Sequence, residues 1–238
     1  MRAPVKLYLA SSNPGKLDEF RALADWTRSS ATNAASSGSL SLDNSVSTES
    51  VPSTDSAVPE IEFALVPGFS TMPEFDETAP TFAENALGKA LHYSQLWAEQ
   101  SGGIENNSFV FADDSGLVVP ALAGAPGVKS ARYAGPNATS AQRNEKLLAE
   151  LRGKTSDDRV AHFVCIIALV SSRGAEAIVS ARANGSILES PSGSGGFGYD
   201  PVFLFTELNK SFGELSREEK NQHSHRGKAF RRLLALLP

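Results

Sequence analysis

Residues 5–24 read VKLYLASSNPGKLDEFRALA, which predicts a strand, a loop and a helix in succession. Residues 5–10 have the apolar character of a core strand, and Leu17, Phe20 and Leu23 share one face of the following helix. The loop between them presents backbone N–H groups and the positive end of a helix dipole, which suits a phosphate. The loop residues, all candidates for phosphate binding, are Ser11, Ser12, Asn13, Pro14, Gly15 and Lys16.

This loop is not a P-loop, because G-x-x-x-x-G-K-[ST] requires an earlier glycine and a hydroxyl residue after the lysine. Gly15 permits close approach of the backbone to a ligand, and Lys16 adds a positive charge. An ordinary turn with an exposed lysine is the alternative that these residues alone leave open.

The rest of the chain predicts a mixed-sheet α/β fold, because strands and helices follow one another without strict alternation. Thr81 and Glu84 form a T-x-x-E capping box that opens a helix. Further strands are expected at 61–66, 109–112, 160–170 and 176–183, and further helices at 139–151 and from His225 onward. Residues 1–238 are expected to form a single domain.

A serine-rich segment, residues 27–58, interrupts this pattern. It contains fifteen Ser or Thr among 32 residues and no aromatic residue. Such a segment cannot bury enough apolar surface to offset its ordering entropy. We therefore expect a disordered or loosely packed insertion within the domain.

Composition and charge exclude several classes of protein. Because the net charge is −5 and the pI is about 5.5, we do not expect broad electrostatic binding to the phosphates of a nucleic acid. The longest apolar run, around Cys165, is far too short to span a bilayer, which needs about 20 residues. The single cysteine rules out an intrachain disulfide, and the N-terminal residues do not resemble a signal peptide. We expect a cytoplasmic protein with no nucleic-acid or membrane partner.

Two adjacent acids, Asp113 and Asp114, stand at the predicted end of the strand at 109–112. Alternation along the backbone sends their side chains to opposite sides, so that one can face a cleft while the other braces the loop. Carboxylates suit Mg²⁺, which usually also recruits substrate phosphates. Asp76 or Glu77 can supply a second carboxylate, although both also suit a helix N-terminus. A solvated turn is the alternative for the adjacent pair.

Two later segments have the chemistry of a base-binding pocket. Residues 193–198 contain four glycines and Phe197, whose ring can stack on a flat ligand, although a structural glycine-rich turn is the alternative. Lys220, His225 and Arg226 lie before or within the start of the last helix, where the dipole disfavours cations. A bound anion or a purine carbonyl would explain them.

Six motifs in this order resemble the inosine triphosphate pyrophosphatase family, and the similarity covers nearly the whole chain outside the serine-rich segment. Members read T-G-N-x-x-K, E-x-x-G-x-T-F-x-E-N-A-x-x-K-A, A-D-D-S-G-L, G-x-P-G-x-x-S-A-R-Y, G-F-G-Y-D-P and S-H-R, and this chain has Asp76 and Ala79 in place of the first glutamate and glycine of the second motif. The matching positions are Ser11–Asn13 with Lys16, Thr81–Ala86 with Lys89–Ala90, Ala112–Leu117, Gly124–Gly127 with Ser130–Tyr133, Gly196–Pro201 and Ser224–Arg226.

The resemblance implies an elongated, two-lobed mixed α/β fold with a central cleft, usually homodimeric. It implies that Asp114 is a Mg²⁺ ligand and general base, with Ser115 touching substrate. Asp76 falls where the family has its second metal-binding acid, usually glutamate, so that Glu77 stays the alternative. Phosphate binding is implied for the loop at 11–16 and for Lys89. The nucleoside is expected to lie among Phe197, Gly198, Tyr199, Asp200, Lys220, His225 and Arg226.

The implied reaction is hydrolysis of deaminated purine nucleoside triphosphates (ITP, dITP and XTP) to the monophosphate and pyrophosphate. Arg226, Lys220 and a protonated His225 are hydrogen-bond donors only, which favours the 6-oxygen of a deaminated purine over the amino group of adenine. A pyrophosphatase of pyrimidine or modified nucleotides is a related alternative. A nucleotide-binding regulator without activity is the alternative from another class, and retention of Asp114 and Lys16 argues against it.

Overall fold

The computed structural model describes residues 4–36 and 61–237. Within these ranges, seven strands form one sheet: β1 (Val5–Leu9), β2 (Ile61–Leu65), β3 (Ser108–Val118), β4 (Val160–Ser171), β5 (Gly174–Ile187), β6 (Phe203–Phe205) and β7 (Lys210–Ser211). The α-helices are α1 (Pro14–Ser36), α2 (Phe82–Ser101), α3 (Ser140–Glu150), α4 (Arg217–His223) and α5 (His225–Leu234). None of these helices is long and apolar enough to cross a bilayer.

The sheet is mixed, with the strand order β2-β1-β3-β4-β5-β6-β7. β1 runs parallel to both β2 and β3, and every later pair in the order is antiparallel. The predicted mixed-sheet α/β fold is therefore confirmed. Because parallel neighbours end at the same edge, the loop that follows β1 lies beside the middle of the longer β3.

Helices cover both faces of the sheet. On one face, α1 and α5 bury Phe20 and Phe230 against Phe111 of β3. On the other face, α2 buries a stripe that includes Ala90 and Trp97 against β3 and β4. A third apolar cluster, which includes α3 residues, lies toward β5, β6 and β7. These three clusters hold the segments that carry the candidate site.

α2 begins and ends where its sequence indicates. The Thr81 hydroxyl accepts a hydrogen bond from the Glu84 backbone N–H, and Gly102 ends the helix in the left-handed region at φ 77°. Asn85 and Lys89 are buried on this helix. The second half of the predicted capping box differs, because the Glu84 carboxylate accepts from the Thr81 hydroxyl at 2.6 Å and not from the Thr81 backbone N–H. The Thr81 cap therefore fixes the register in which both polar side chains reach the interior.

β3 continues to Val118, whereas the apolar run predicted an end at Asp113. Asp114 pairs with Ile166 of β4, and Ser115 pairs with Cys165. The alternative of a solvated turn is therefore wrong. The neighbouring strand β4 continues the hydrogen-bonded ladder beyond the point where the local sequence stops being apolar.

α1 continues to Ser36, ten residues into the serine-rich segment 27–58. Over residues 27–36 the structure therefore differs from the expected irregular backbone. The Thr27 hydroxyl donates to the carbonyl oxygens of Leu23 and Ala24, both at 3.0 Å, so that the helix itself satisfies this polar group. Residues 37–58 lie outside the described residues, and the single-domain organisation stays a prediction.

Candidate active site

A cleft of about 640 Å³ brings together most of the predicted site residues. Those that line it are Ser11, Ser12, Asn13, Lys16, Asp76, Lys89, Asp114, Ser115, Phe197, Gly198, Tyr199, Asp200, His225 and Arg226. Lys220 does not line the cleft but lies behind Asp200, with which it forms an ion pair at 2.7 Å. Gly15 lies against the Phe197 ring, where an added Cβ would come within 2.9 Å. Pro14 begins α1.

The loop after β1 is folded by its own side chains. The Asn13 side-chain oxygen accepts hydrogen bonds from the backbone N–H groups of Gly15 (2.9 Å) and Lys16 (3.4 Å). Lys16 extends to β3, where its ammonium lies 3.2 Å from the carbonyl oxygen and 3.1 Å from a carboxylate oxygen of Asp113. The loop thus fixes a half-buried positive charge beside the two acids.

Asp113 and Asp114 face opposite sides of the sheet, as alternation along a strand requires. Asp113 is completely buried toward α1 and α5, where Ser115 donates to it at 2.7 Å and the Arg226 guanidinium lies 3.5 Å away. Asp114 points toward α2 and into the cleft, where the Asn85 amide donates to it at 3.1 Å. Asp113 is the bracing acid, and Asp114 is the acid that can reach a ligand.

The two environments shift the two pKa values in opposite directions. Burial alone would raise the pKa of Asp113, but the charges of Lys16 and Arg226 outweigh it and hold the pKa well below its ordinary value. Burial raises the pKa of Asp114 to about 6, with Lys16 acting against the shift and Glu77 adding to it. Asp113 is therefore a permanent anion, and Asp114 is a carboxylate that can take up a proton near neutral pH.

Of the two candidate acids, Glu77 is the one whose charge acts on Asp114. Glu77 forms an ion pair with the buried Lys89, and its charge acts on Asp114. Burial lowers the pKa of Lys89, but its attraction to Glu77 and Asp113 prevails and raises it, so that this lysine stays charged. Asp76 lines the same cleft but is exposed.

Asn85 and Arg132 hold the acidic segment in place, although neither was predicted as a site residue. The Asn85 side-chain oxygen accepts from the Ala79 backbone N–H at 3.0 Å, while its amide nitrogen reaches Asp114. Arg132 donates to the Glu77 carbonyl oxygen at 2.7 Å. Both residues lie within the matched motifs, Asn85 on α2 and Arg132 after Gly127. Their places in these motifs were the sequence signal that could have identified them as site residues.

The far end of the cleft contains a buried network of charges. Glu19 of α1 forms ion pairs with both Lys220 and Arg226, and Lys220 also pairs with Asp200. The cations of Lys220 and Arg226 lie 5.3 Å and 5.5 Å from the centre of the Phe197 ring. The sequence interpretation missed Glu19. The sequence signal for Glu19 was its position one helical turn after Lys16, next to the apolar face of α1.

The protonation state of His225 differs from the one expected, in which the protonated ring was a hydrogen-bond donor only. Its ring stacks on Phe163, with centres 4.6 Å apart and planes at 7°, and it is buried. Burial, together with the charges of Arg226 and Lys220, lowers its pKa well below the ordinary value. His225 is therefore neutral at neutral pH and has one donor and one acceptor nitrogen. Arg226 and Lys220 remain the donor-only groups at this end.

Known proteins resemble this chain in sequence and in fold. The sequence model of the Ham1 family matches residues 7–236. A dITP/XTP pyrophosphatase of Desulfotalea psychrophila is 46% identical over 178 residues, covering 75% of each chain. One of Gloeobacter violaceus is 50% identical over 165 residues, covering 68% of this chain and 77% of that protein. The solved structure of a HAM1 protein from Coxiella burnetii is 36% identical, with a TM-score of 0.71 and 98% of both chains covered.

The family match spans every motif on which the predicted resemblance rests, from the loop after β1 to the start of α5. The relatives carry the pyrophosphatase name that the resemblance anticipated. The chain therefore belongs to the Ham1 family.

Proposed function

We propose that this chain is a metal-dependent pyrophosphatase that hydrolyses ITP, dITP and XTP to the monophosphate and pyrophosphate. The observation that carries the proposal is Asp114, a buried carboxylate whose pKa is raised to about 6 and which faces the cleft. The same cleft is lined by residues of the loop at 11–16, by Lys16 and the buried Lys89, and by Phe197 with the donor Arg226. Relatives named dITP/XTP pyrophosphatase support the choice of substrate.

The proposed reaction is attack of water on the α-phosphorus. Asp114 accepts a proton from the water, the new bond forms to the α-phosphorus, and its bond to the oxygen bridging to the β-phosphorus breaks. Lys16 and Lys89 offset the negative charge on the phosphates. The products are the nucleoside monophosphate, which keeps the oxygen of the water, and pyrophosphate, which leaves with the bridging oxygen.

The acids of the cleft fit Mg²⁺. A divalent ion beside Asp114 would offset both the cost of burying its carboxylate and its repulsion by Glu77. Among residues 4–36 and 61–237 there is no group of three or more His, Cys, Asp or Glu side chains placed to hold a metal. Substrate phosphates and water would therefore complete the shell, as is usual for Mg²⁺. Bound there, the ion supplies charge neutralisation and a more acidic water.

Glu77 is the better candidate than Asp76 for the second metal ligand. Its charge already acts on Asp114, whereas the Asp76 side chain is exposed. Glu77→Gln should raise the Mg²⁺ concentration needed for half-maximal activity by about tenfold or more, the usual range for weakening a metal site. Asp76→Asn is the matched variant, and a larger effect there would reverse the choice.

Base selection is assigned to the donors beside Phe197. Arg226, which lines the cleft, and Lys220, which lies behind Asp200, cannot accept a hydrogen bond, so that the 6-amino group of adenine would face donors where the 6-oxygen of a deaminated purine meets a partner. Each such mismatch costs roughly 1–3 kcal/mol, and more when the group is charged, which favours ITP over ATP by a large factor. Guanine also has a 6-oxygen, so that its rejection depends on contacts to the 2-amino group.

The direct test is product analysis. With Mg²⁺ the purified protein should release pyrophosphate from ITP and should do so far more slowly from ATP, and EDTA should stop the reaction. Release of orthophosphate with a diphosphate product would overturn the assignment. A preference for a pyrimidine nucleotide would favour the related enzyme, and binding of ITP without turnover would favour a regulator.

We further propose a cytoplasmic homodimer. The single cysteine is free and buried, which suits a reducing compartment, and the dimer follows from the resemblance to the pyrophosphatase family. Light scattering in solution should give twice the chain mass of 25.2 kDa, and a value equal to one chain would contradict the dimer.

A further inference from the structure

The glycine-rich segment at 193–198 is a thin wall between two cavities. One is the cleft, and the other, of about 960 Å³, lies between this segment and α3. Phe197 and Gly198 line both cavities, and residues 193–196 are exposed. The close contacts of this wall are those of Gly193 and Gly195 with the Gly213 backbone, whose carbonyl oxygen accepts from the Gly195 N–H at 2.9 Å, while the second cavity separates the wall from α3.

A side chain of α3 forms a hydrogen bond with this wall. Asn144 is 6% exposed, lines the second cavity and donates from its amide nitrogen to the Gly198 carbonyl oxygen at 3.1 Å. Because a carbonyl oxygen can only accept, the amide nitrogen and not the amide oxygen must face Gly198. The bond joins residues 54 positions apart in the sequence.

Other anchors of the same turn act from the cleft side. The Asp200 carboxylate accepts from the Phe197 backbone N–H at 2.8 Å and binds Lys220 at 2.7 Å. The Tyr199 hydroxyl donates to the Ser130 carbonyl oxygen at 2.9 Å. Asn144 opposes these anchors from the far side, so that the turn at 197–200 is held between them.

The position of this turn determines where the Phe197 ring lies. That ring packs against Gly15 and lies close to the cations of Lys220 and Arg226. A turn that moved toward the second cavity would carry the ring away from these partners. Asp114 and Lys16 stand on β3 and α1 and would not follow.

We propose that Asn144 is a positioning residue for base recognition: it holds the Phe197 turn from outside the cleft and so sets substrate affinity and the preference for a deaminated purine, without touching substrate. The proposal rests on the proposed function and names a determinant of its specificity. It assigns the support of the Phe197 turn to α3, whereas Asp114 and Lys16 stand on β3 and α1.

Two variants and one matched control test this role. Asn144→Leu keeps a similar volume without a donor, and Asn144→Asp keeps the shape while facing the Gly198 carbonyl with an acceptor. Each should raise KM for ITP by about tenfold, the equivalent of one lost hydrogen bond, with kcat within about twofold of the parent. The ratio of kcat/KM for ITP to that for ATP should fall by a similar factor. Leu151→Ala, at the end of α3, should lower Tm and leave KM and this ratio unchanged, because Leu151 is buried in the third apolar cluster and lines neither cavity.

A parent-like KM and ITP-to-ATP ratio in both Asn144 variants would overturn the proposal. So would a loss of kcat without a change of KM, which is the result expected of a purely structural residue. If the parent protein itself releases no pyrophosphate from any nucleotide, the proposed function fails on its own. In that case the ITP dissociation constant, measured by calorimetry in EDTA, decides the role of Asn144, and an unchanged constant in both variants rejects it.

Discussion

Two neighbouring carboxylates in β3 have opposite electrostatic environments, and this contrast is the main chemical feature of the site at the scale of single residues. Asp113 contacts cations and stays ionised, while burial raises the pKa of Asp114 to about 6. The sequence predicted that the pair would point to opposite sides, because alternation is a local property of a strand. The contrast in ionisation depends on Lys16, Arg226 and Glu77, which come from distant parts of the chain, so that spacing alone could not predict it.

The paired substitutions Asp114→Asn and Asp113→Asn should separate these roles in EDTA at pH 7.5. The folded-state pKa of Asp114 lies above the ordinary 3.8, so that its ionised form destabilises the fold above about pH 6. Asp114→Asn should therefore stabilise the protein by about 1–3 kcal/mol, a gain that shrinks as the pH falls from 6 toward 4. Asp113→Asn should cost about 3–5 kcal/mol, because it leaves Lys16 and Arg226 without a buried partner.

Activity adds a second readout to the same pair. Asp114→Asn should lower turnover by at least about a hundredfold, the lower range for loss of a general base. Thermal unfolding at several pH values and steady-state kinetics measure both effects. If Asp114→Asn were the least stable of the three proteins, or turned over ITP like the parent, the assignment of the two acids would be wrong.

At the scale of secondary structure, elements with a strong local signal were predicted and elements set by neighbours were not. The Thr81 capping box located the start of α2 correctly. β3 was predicted too short, because its second half is held by pairing with β4 and not by an apolar run. α4 was missed although Ser216 and Glu219 form a capping box, since residues 217–223 carry no clear apolar periodicity.

Gly116 links β3 to the segment at 127–132. A Cβ at this position would lie 2.5 Å from the Gly127 carbonyl oxygen and 2.6 Å from the Ser130 hydroxyl oxygen. Gly116→Ala should therefore force the two segments apart and destabilise the protein by about 1–3 kcal/mol. Turnover should fall as well, because Asp114 and Ser115 directly precede the displaced residue.

The matched control is Ser130→Ala. It removes the hydrogen bond that the Ser130 hydroxyl accepts from the Leu117 backbone N–H (3.0 Å) and the one that it donates to the Gly127 carbonyl oxygen (2.6 Å), without adding bulk, and it should cost about 1–2 kcal/mol. Denaturation in urea compares the two variants. A loss for Gly116→Ala no larger than that for Ser130→Ala would mean that the contact between the segments is not tightly packed.

At the scale of the whole molecule, the motif order predicted the family and the mixed α/β fold. Local patterns could not have given the strand order, because β1 lies between β2 and β3, which follow it at distances of about fifty and a hundred residues. This strand order brings the loop after β1 beside Asp113 and Asp114 of β3. The loop and Asp114 line the same cleft as Phe197 and Gly198 of the glycine-rich segment. The cleft is therefore a product of topology, whereas its residues were visible in the sequence.

The central claim is that Asp114 directs water to the α-phosphorus of a deaminated purine nucleoside triphosphate. Hydrolysis of ITP in water enriched in ¹⁸O tests it most directly, with mass spectrometry of both products after a single turnover. We predict one ¹⁸O atom in the monophosphate and none in the pyrophosphate. Label in the pyrophosphate would place the attack on the β-phosphorus and contradict the account.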